Sequence, residues 1–421
     1  MLIRENLELR KMLLNRIWIG MFVIAFSVGM SKLLFWGDTY IFKQMFDALT
    51  DSAKTGFEIA LYLTGVLCLW MGIMKIGENG GAIRGLTKIV SPLFSRLFPE
   101  VPKDHPAIGS MMMNFSANML GLDNAATPLG LKAMGQLQEL NPEKKKASNA
   151  QIMFLVLNTS GLTIIPVSVF ALLAANDDPN PSSVFLPILI ATFFASLFGL
   201  ILVAIKQRIN LFNKVILAYI GGLTLLIGSL LYYVIEHPEH ADVISRVGGN
   251  LLIFLIIMTF LGLAASRRIN VYESFIDGAK DGFKIAIKIV PYLIAILVAI
   301  AVFRASGSLD TLLEGIRSVV LYLGITATEW VDALPVAFMK PLSGSGARGA
   351  LVEVINQFDV TSIQARIATT MQGSTETTFY VLAVYFGSVG IKNIRYAAGV
   401  GLLADLVGII AAIIISYIFY V

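Results

Sequence analysis

The chain is poor in the residues that redox, metal and ionic chemistry use. Its one cysteine, Cys68, excludes a disulfide within the chain. The three histidines, His105, His237 and His240, are not expected to form a metal cluster. Only 14% of the residues are charged, against roughly 25% in soluble proteins. These shortages argue against a soluble protein and against a bound metal.

Nucleotide-binding and catalytic motifs are absent as well. No glycine-rich stretch is followed by Gly-Lys-Ser or Gly-Lys-Thr, so the sequence lacks the nucleotide machinery of an ATP-driven pump. No Ser/His/Asp or Cys/His arrangement suggests a nucleophilic site. The net charge of +4 is too modest to indicate nucleic-acid binding. We therefore expect no enzyme activity, no cofactor and no nucleic-acid partner.

Long apolar segments dominate what is present. Hydrophobic residues make up 56% of the chain, and the mean hydropathy is +0.76. A helix needs roughly 20 apolar residues to span a bilayer, and nine segments approach or exceed that length. These segments are Ile17–Trp36, Phe57–Ile76, Gln151–Ala174, Ser183–Ile205, Val215–Ile235, Leu251–Ala265, Ile285–Phe303, Ile363–Phe386 and Ile394–Tyr420. The sequence thus predicts an all-α polytopic membrane protein whose first partner is the lipid bilayer.

Basic residues orient the predicted bundle. They gather before the first segment, at Lys144–Lys146 and at Arg267 and Arg268, whereas the loops 176–183 and 236–245 contain no lysine or arginine. Loops rich in lysine and arginine stay in the cytoplasm. The bias predicts a multi-pass protein of the bacterial inner (cytoplasmic) membrane, with the N-terminus in the cytoplasm and the C-terminus outside.

The two halves of the chain repeat each other. In the first of three matches, six of eight positions are identical, and all three matches occur in the same order. The matched pairs are Ala53–Ala60 with Ala279–Ala286, Phe115–Asn118 with Leu342–Ser345, and Asn158–Thr163 with Gln372–Thr377. We expect a repeat at residues 1–210, a connecting helix at 211–248 and a second repeat at 249–421.

The predicted topology inverts the second repeat. The charge bias places Phe57 at the outer end of its segment and Phe283 at the inner end, with Val215–Ile235 as the crossing that reverses the second copy. Inverted repeats around discontinuous helices are typical of secondary transporters, which bind substrate near the membrane midplane. The sequence therefore favours a transporter.

Two polar stretches, Met111–Thr127 and Lys340–Gly349, interrupt the apolar sequence, each with room for a helical hairpin that enters and leaves on one side. Polar groups at membrane depth need partners, and such stretches persist where they line a cavity. The candidate substrate-binding residues of these hairpins are Asn114, Ser116, Asn118, Asp123, Asn124, Ser343 and Ser345. The alternative is that these side chains cap helix ends.

Polar residues also lie inside two of the apolar segments, beside glycines and, in the first, before Pro166. Unwound segments of this kind bind substrate or Na⁺ in transporters. The candidate substrate-binding residues here are Asn158, Thr159, Ser160, Gln372, Ser374 and Thr377. Packing between helices through small polar residues is the alternative.

Three carboxylates are candidates for a coupling Na⁺ or H⁺, because ionisable residues inside a membrane are functional by default. They are Glu376, Asp123 and Asp405. Asp123 is equally suited to cap a helix, and a buried hydrogen bond would explain Asp405. Arg348 is suited to bind a carboxylate or phosphate, although extension to the membrane surface is the favoured reading.

The motifs resemble a known family. The run Asn118–Met134 resembles spore maturation protein A, and Pro341–Gly346 with Gln372–Gly387 resembles spore maturation protein B, so the chain looks like a fusion of the two. The resemblance implies two inverted Gate-type repeats (the nucleoside recognition domain) with re-entrant helical hairpins and interrupted transmembrane helices. Related domains occur in concentrative nucleoside transporters and in bacterial ferrous iron transporters.

The expected function is secondary transport, as import or export, of a small polar solute that is nucleoside- or nucleobase-like by resemblance. Few aromatics are expected near the site, and amides and hydroxyls would also suit amino acids or small peptides. A non-transporting membrane scaffold in envelope or spore maturation is another alternative. A metal-ion permease is the third, and the scarcity of His and Cys argues against it. Each of these functions is compatible with a homo-oligomer.

Overall fold

The computed structural model describes residues 2–120 and 123–421, and the side chains of all of these except 2–14, 123–125 and 242. Across this part of the chain the fold is helical, without a strand. Within the described residues, seven helices are long and apolar enough to cross a membrane: Asn15–Trp36, Ile41–Gly80, Pro181–Gln207, Lys214–Glu236, Pro238–Ser266, Val271–Ala305 and Ala397–Tyr420. They confirm a polytopic membrane protein and account for seven of the nine predicted segments.

The other two predicted segments are interrupted, as their glycines and polar residues suggested. The first interrupted helix consists of Asn149–Ser160 and Val167–Ala175, and the second of Ile363–Ser374 and Thr378–Ser388. Gly161 ends the first half-helix in a left-handed conformation, with φ of 37°, which glycine adopts without steric cost. In the second, an extended Thr375 breaks the helix.

Each polar stretch lies in a helical hairpin. The first hairpin pairs Pro106–Met119 with Asp123–Leu140, and the second pairs Leu334–Met339 with Gly344–Phe358. Ser343 starts the last of these helices by accepting a hydrogen bond from the Gly346 N–H at 3.1 Å, as a good N-cap residue does. That the hairpins enter and leave the membrane on one side stays a prediction.

The helices occur twice in the same order. Each half has a long helix, an amphipathic helix (Ala82–Leu97 or Ser308–Tyr322), a hairpin, an interrupted helix and a closing helix. Lys214–Glu236 has no counterpart and lies between the two halves. Each half also begins with an apolar helix, Asn15–Trp36 or Pro238–Ser266. With hairpins that enter and leave on one side, each half then crosses four times. The single additional crossing by Lys214–Glu236 reverses the second copy, which is what the predicted inversion requires.

The two long helices, Ile41–Gly80 and Val271–Ala305, pack antiparallel. Gly56 lies against Ile294, whereas Gly72 lies against Phe275. The glycine that corresponds to Gly56 in the repeat is Gly282, and it faces Leu67 in the first helix. The contact is therefore reciprocal, with equivalent glycines meeting equivalent stretches of the opposite helix. Small residues let helix backbones approach closely, so the repeated glycines hold the two halves together.

Candidate functional site

Both hairpins and both interrupted helices meet around one cavity of about 410 Å³. Cavities of a few hundred Å³ suit small-molecule ligands. Its polar and charged lining residues are Asn118, Thr127, Asn158, Thr163, Ser168, Lys288, Lys340, Ser345, Arg348, Gln372, Thr375, Glu376, Thr377, Tyr380 and Tyr385. The two halves of the chain thus build the site jointly.

Equivalent residues of the two repeats line this cavity together. Three pairs that the repeat alignment places opposite one another all line it: Asn118 with Ser345, Asn158 with Gln372, and Thr163 with Thr377. All six side chains are neutral hydrogen-bonding groups. The uncharged polar surface of the cavity therefore follows the internal repeat.

Main-chain hydrogen bonds hold the helix breaks in place. The Glu376 N–H in the second break donates to the Thr159 carbonyl at the end of a half-helix in the first, at 2.8 Å. Each interrupted helix also binds its own hairpin: Ile164 N–H donates to the Met119 carbonyl at 2.7 Å, and Phe379 N–H to the Pro341 carbonyl at 3.0 Å. Backbone groups freed by the breaks thus find the partners that a membrane environment requires.

A side-chain network supports the first-repeat side of the cavity. Asn118 donates from Nδ2 to Asn158 Oδ1 at 2.7 Å, and Asn158 donates from its own Nδ2 to the Phe154 carbonyl at 2.8 Å. Behind them, Asn114 Nδ2 contacts the Tyr385 hydroxyl at 3.2 Å and the Ala126 carbonyl at 2.7 Å. These bonds fix the amide orientations, which pre-organises the lining.

Six predicted site residues line the cavity: Asn118, Asn158, Ser345, Gln372, Glu376 and Thr377. Six others lie behind it, namely Asn114, Ser116, Thr159, Ser160, Ser343 and Ser374. Ser160 and Ser374 donate to carbonyls of their own helices, and Ser343 is an N-cap. These contacts match the capping and packing alternative, and a solute contact by them stays a prediction. The Asp123 and Asn124 side chains lie outside the described residues.

The two described coupling candidates occupy different places. Glu376 lines the cavity in the second break, with its Cγ beside Gly161 of the first. Asp405 is 1% exposed and lies behind the break, where its Oδ2 accepts a hydrogen bond from the Thr378 hydroxyl at 2.6 Å. Only Glu376 is placed to meet a solute directly, and coupling through either group stays a prediction.

Several lining residues were not predicted from the sequence. Tyr380 and Tyr385 line the cavity and are the two aromatic residues among its described lining, as expected for a site poor in aromatics. Their spacing from Thr377 is three and eight residues, which puts all three on one helix face, and this was the available signal. Lys288 and Lys340 also line the cavity, and so does Arg348, which was expected to extend to the surface.

Comparison with known proteins identifies related sequences. The family model described as Gate, nucleoside recognition, matches residues 60–176 and 286–392, more than half of the chain. Spore maturation protein A of Bacillus subtilis (strain 168) is 36% identical over 190 residues, which are 45% of this chain and 93% of that protein. Spore maturation protein B of the same organism is 43% identical over 164 residues, 39% of this chain and 90% of that protein.

Proposed function

Because the chain belongs to the nucleoside-recognition Gate family of membrane proteins, we propose that it is a secondary transporter of a small polar solute. The cavity between its two repeats carries this proposal. Solute sites of inverted-repeat transporters lie at the repeat interface and are built from discontinuous helices. The cavity here is lined by both interrupted helices and both hairpins. The protein would work in the bacterial inner membrane, with its N-terminus in the cytoplasm.

A buried side chain in the lining supports a binding role. Gln372 is 4% exposed, and its Oε1 has no hydrogen-bond partner among the described residues. Leaving a buried polar group unpaired costs about 1–3 kcal/mol. Because Gln372 lines the cavity, rotation of its amide toward a bound solute with a hydrogen-bond donor would relieve that cost. Together with Asn118 and Asn158, this amide would contact the polar body of the solute.

The proposed mechanism assigns one task to each group. The neutral amides and hydroxyls orient the solute, and Tyr380 and Tyr385 offer rings that a flat base or side chain would pack against. Glu376 would carry the coupling proton or Na⁺, because its carboxylate faces the same cavity. Nucleosides and nucleobases are the first solute class by family, and amino acids or small peptides are the second.

Uptake into proteoliposomes tests the proposal. We expect saturable accumulation of at least one nucleoside, nucleobase, amino acid or dipeptide under a proton or Na⁺ gradient, and loss of that accumulation in the Gln372→Ala variant. Thr259→Ala is the matched control, because its exposed hydroxyl bonds only its own helix, at the Leu255 carbonyl. Absence of accumulation for every compound, with folded protein in the vesicles, would reject the transporter.

A scaffold role is the second candidate, and the names of the relatives favour it, since both are called spore maturation proteins. It predicts that a Gln372→Ala variant rescues the phenotype of a deletion strain as well as the wild type does. A metal-ion permease has less support. Neither histidine nor cysteine is among the described residues that line the cavity, and soft divalent metals prefer those ligands.

A further inference from the structure

The charged lining of the cavity is unequal in sign. Lys288, Lys340 and Arg348 line it, and Glu376 is the one carboxylate among the described lining residues. The described lining therefore carries two more positive than negative charges. All four groups belong to the second half of the chain, whereas the equivalent neutral pairs come from both halves. The four charged side chains therefore do not follow the internal repeat, unlike the three pairs of neutral side chains.

Lys340 is already engaged by the protein. It is 6% exposed, and its Nζ donates to the Gln372 carbonyl at 2.6 Å. That carbonyl is near the C-terminal end of Ile363–Ser374, where the helix dipole attracts a cation. The positive charge of Lys340 is therefore partly compensated in the folded protein, and it serves to hold the second break.

Lys288 and Arg348 are different. No described carboxylate lies within ion-pair distance of either, and the Arg348 Nε is buried without a hydrogen-bond partner among the described residues. Lys288 is exposed, which places it at the mouth of the cavity, and Arg348 is half-buried within it. A buried N–H without a partner is costly, and a planar guanidinium binds carboxylate and phosphate in a bidentate manner.

Helix ends of both signs meet at the cavity. The half-helices Asn149–Ser160 and Ile363–Ser374 end there, and Lys340 already compensates the second of these C-termini. The helices Gly344–Phe358 and Thr378–Ser388 both begin at the cavity, where Gly344 and Thr377 line it. A third, Val167–Ala175, begins there at Val167. Helix N-termini carry partial positive charge and unpaired N–H groups, which favour anions. Gln372 lines the same cavity, and its Oε1 is buried without a hydrogen-bond partner among the described residues.

We propose that the transported solute is an organic anion, with a carboxylate or phosphate held by Arg348 and Lys288 and a hydrogen-bond donor on its polar body held by Gln372. This inference rests on the proposed transport function and narrows its substrate class. Arg348 contacts the anionic group inside the cavity. Lys288 attracts it at the mouth.

Pairs of probes that differ in charge but are similar in shape test whether the site prefers an anion. We would measure the thermal stabilisation of the purified full-length protein by uridine against uridine 5′-monophosphate, and by glutamine against glutamate. A ligand that binds the folded protein raises its apparent stability, and the increase grows with the ratio of ligand concentration to Kd. We expect the anionic member of at least one pair to bind at least tenfold more tightly than its neutral partner. The first pair reports a phosphate and the second a side-chain carboxylate.

Charge variants test which residues make the discrimination. Arg348→Gln should weaken anion binding by tenfold or more and should weaken neutral binding by much less, and Arg348→Lys should retain part of the preference. Lys284→Gln is the control, because Lys284 is an exposed lysine one turn from Lys288, paired with Asp281 and absent from the cavity lining. Lys288→Gln should mainly slow anion uptake, because a positive charge at the mouth of the cavity raises the rate at which anions associate with the protein.

The outcomes distinguish the two levels of the proposal. Equal binding of neutral and anionic members, with Arg348→Gln indistinguishable from wild type, would overturn the anion inference and leave the transporter intact. Failure of every probe to bind the folded protein or to accumulate in vesicles would remove the proposed function, and the inference with it. A preference that Lys284→Gln abolishes as fully as Arg348→Gln would show general surface electrostatics and would also overturn it.

Discussion

The crossing of the two long helices allows a quantitative test of the fold. Replacing Gly282 by Ala would place a Cβ 2.6 Å from the Leu67 carbonyl oxygen and 2.9 Å from the Cα of Cys68. Both are backbone atoms, so no side-chain rotation relieves the clash and the helices must separate. Overpacking costs about 1–3 kcal/mol, and the better helix propensity of Ala returns up to about 1 kcal/mol. Because backbone must move, we expect a net loss of about 1–2 kcal/mol.

Two further glycines calibrate the measurement. Gly56 occupies the equivalent position of the first repeat, but a Cβ there would meet the side chains of Ile294 and Leu297 first, at 3.1 Å, so Gly56→Ala should cost less. Gly228 has nothing within 4 Å, so Gly228→Ala should be neutral or slightly stabilising. The assay is reversible unfolding in mixed micelles of mild detergent and SDS. Equal stability of the Gly282 and Gly228 variants would refute the close crossing.

Three other predictions concern stability. Asp178→Asn leaves Arg366, its buried partner at 2.6 Å, without a counter-charge, and should cost about 3–5 kcal/mol, measured by unfolding. Asn158→Ala removes the acceptor of the Asn118 amide, and the same assay should show a loss of about 1–3 kcal/mol. Ser148→Ala removes the capping box that starts the first interrupted helix. We expect it to destabilise that helix by about 1 kcal/mol, measured as faster amide hydrogen exchange in its first turns.

Each of these variants has its own control. For the ion pair, the double replacement of Asp178 and Arg366 by apolar residues should recover much of the loss, and no recovery would show that the charges are not coupled. For Asn158, the double replacement of Asn158 and Asn118 by Ala should cost less than the sum of the two single losses, and additive losses would contradict the hydrogen bond. For Ser148, replacement by Thr should preserve the N-cap. Amide exchange in the Thr variant as fast as in the Ala variant would show that the cap does not stabilise the helix.

The fold was largely predictable because its signals are local. Runs of apolar residues predicted the membrane-crossing helices. Polar residues beside glycine or proline predicted where two of these helices are interrupted and where the two hairpins lie. The repeated octapeptide Ala53–Ala60 showed that the halves are copies, and the structure explains its conserved spacing through Gly56 and Gly282 at the helix crossing. The neutral part of the cavity followed from the same alignment, since equivalent residues meet there.

The remaining lining residues depend on tertiary contacts that the sequence does not encode locally. Asn114 and Asn118 are one helical turn apart and chemically identical, so periodicity does not separate them. In the fold, Asn114 is fully buried against Ala126 and Tyr385, whereas Asn118 lines the cavity. Lys288 looks like one of several lysines along the long helix Val271–Ala305, and only the packing of that helix places it at the cavity.

The hydrogen bond between the two helix breaks has an evolutionary consequence. It joins the Glu376 N–H to the Thr159 carbonyl, and almost any residue type at either position can form it. This hydrogen bond is therefore insensitive to the side chains of the two residues that form it, apart from proline at position 376. Side chains around the cavity can then diverge without undoing the junction that shapes it. A duplicated gene with this architecture can acquire a new specificity through a few substitutions while its central scaffold stays intact.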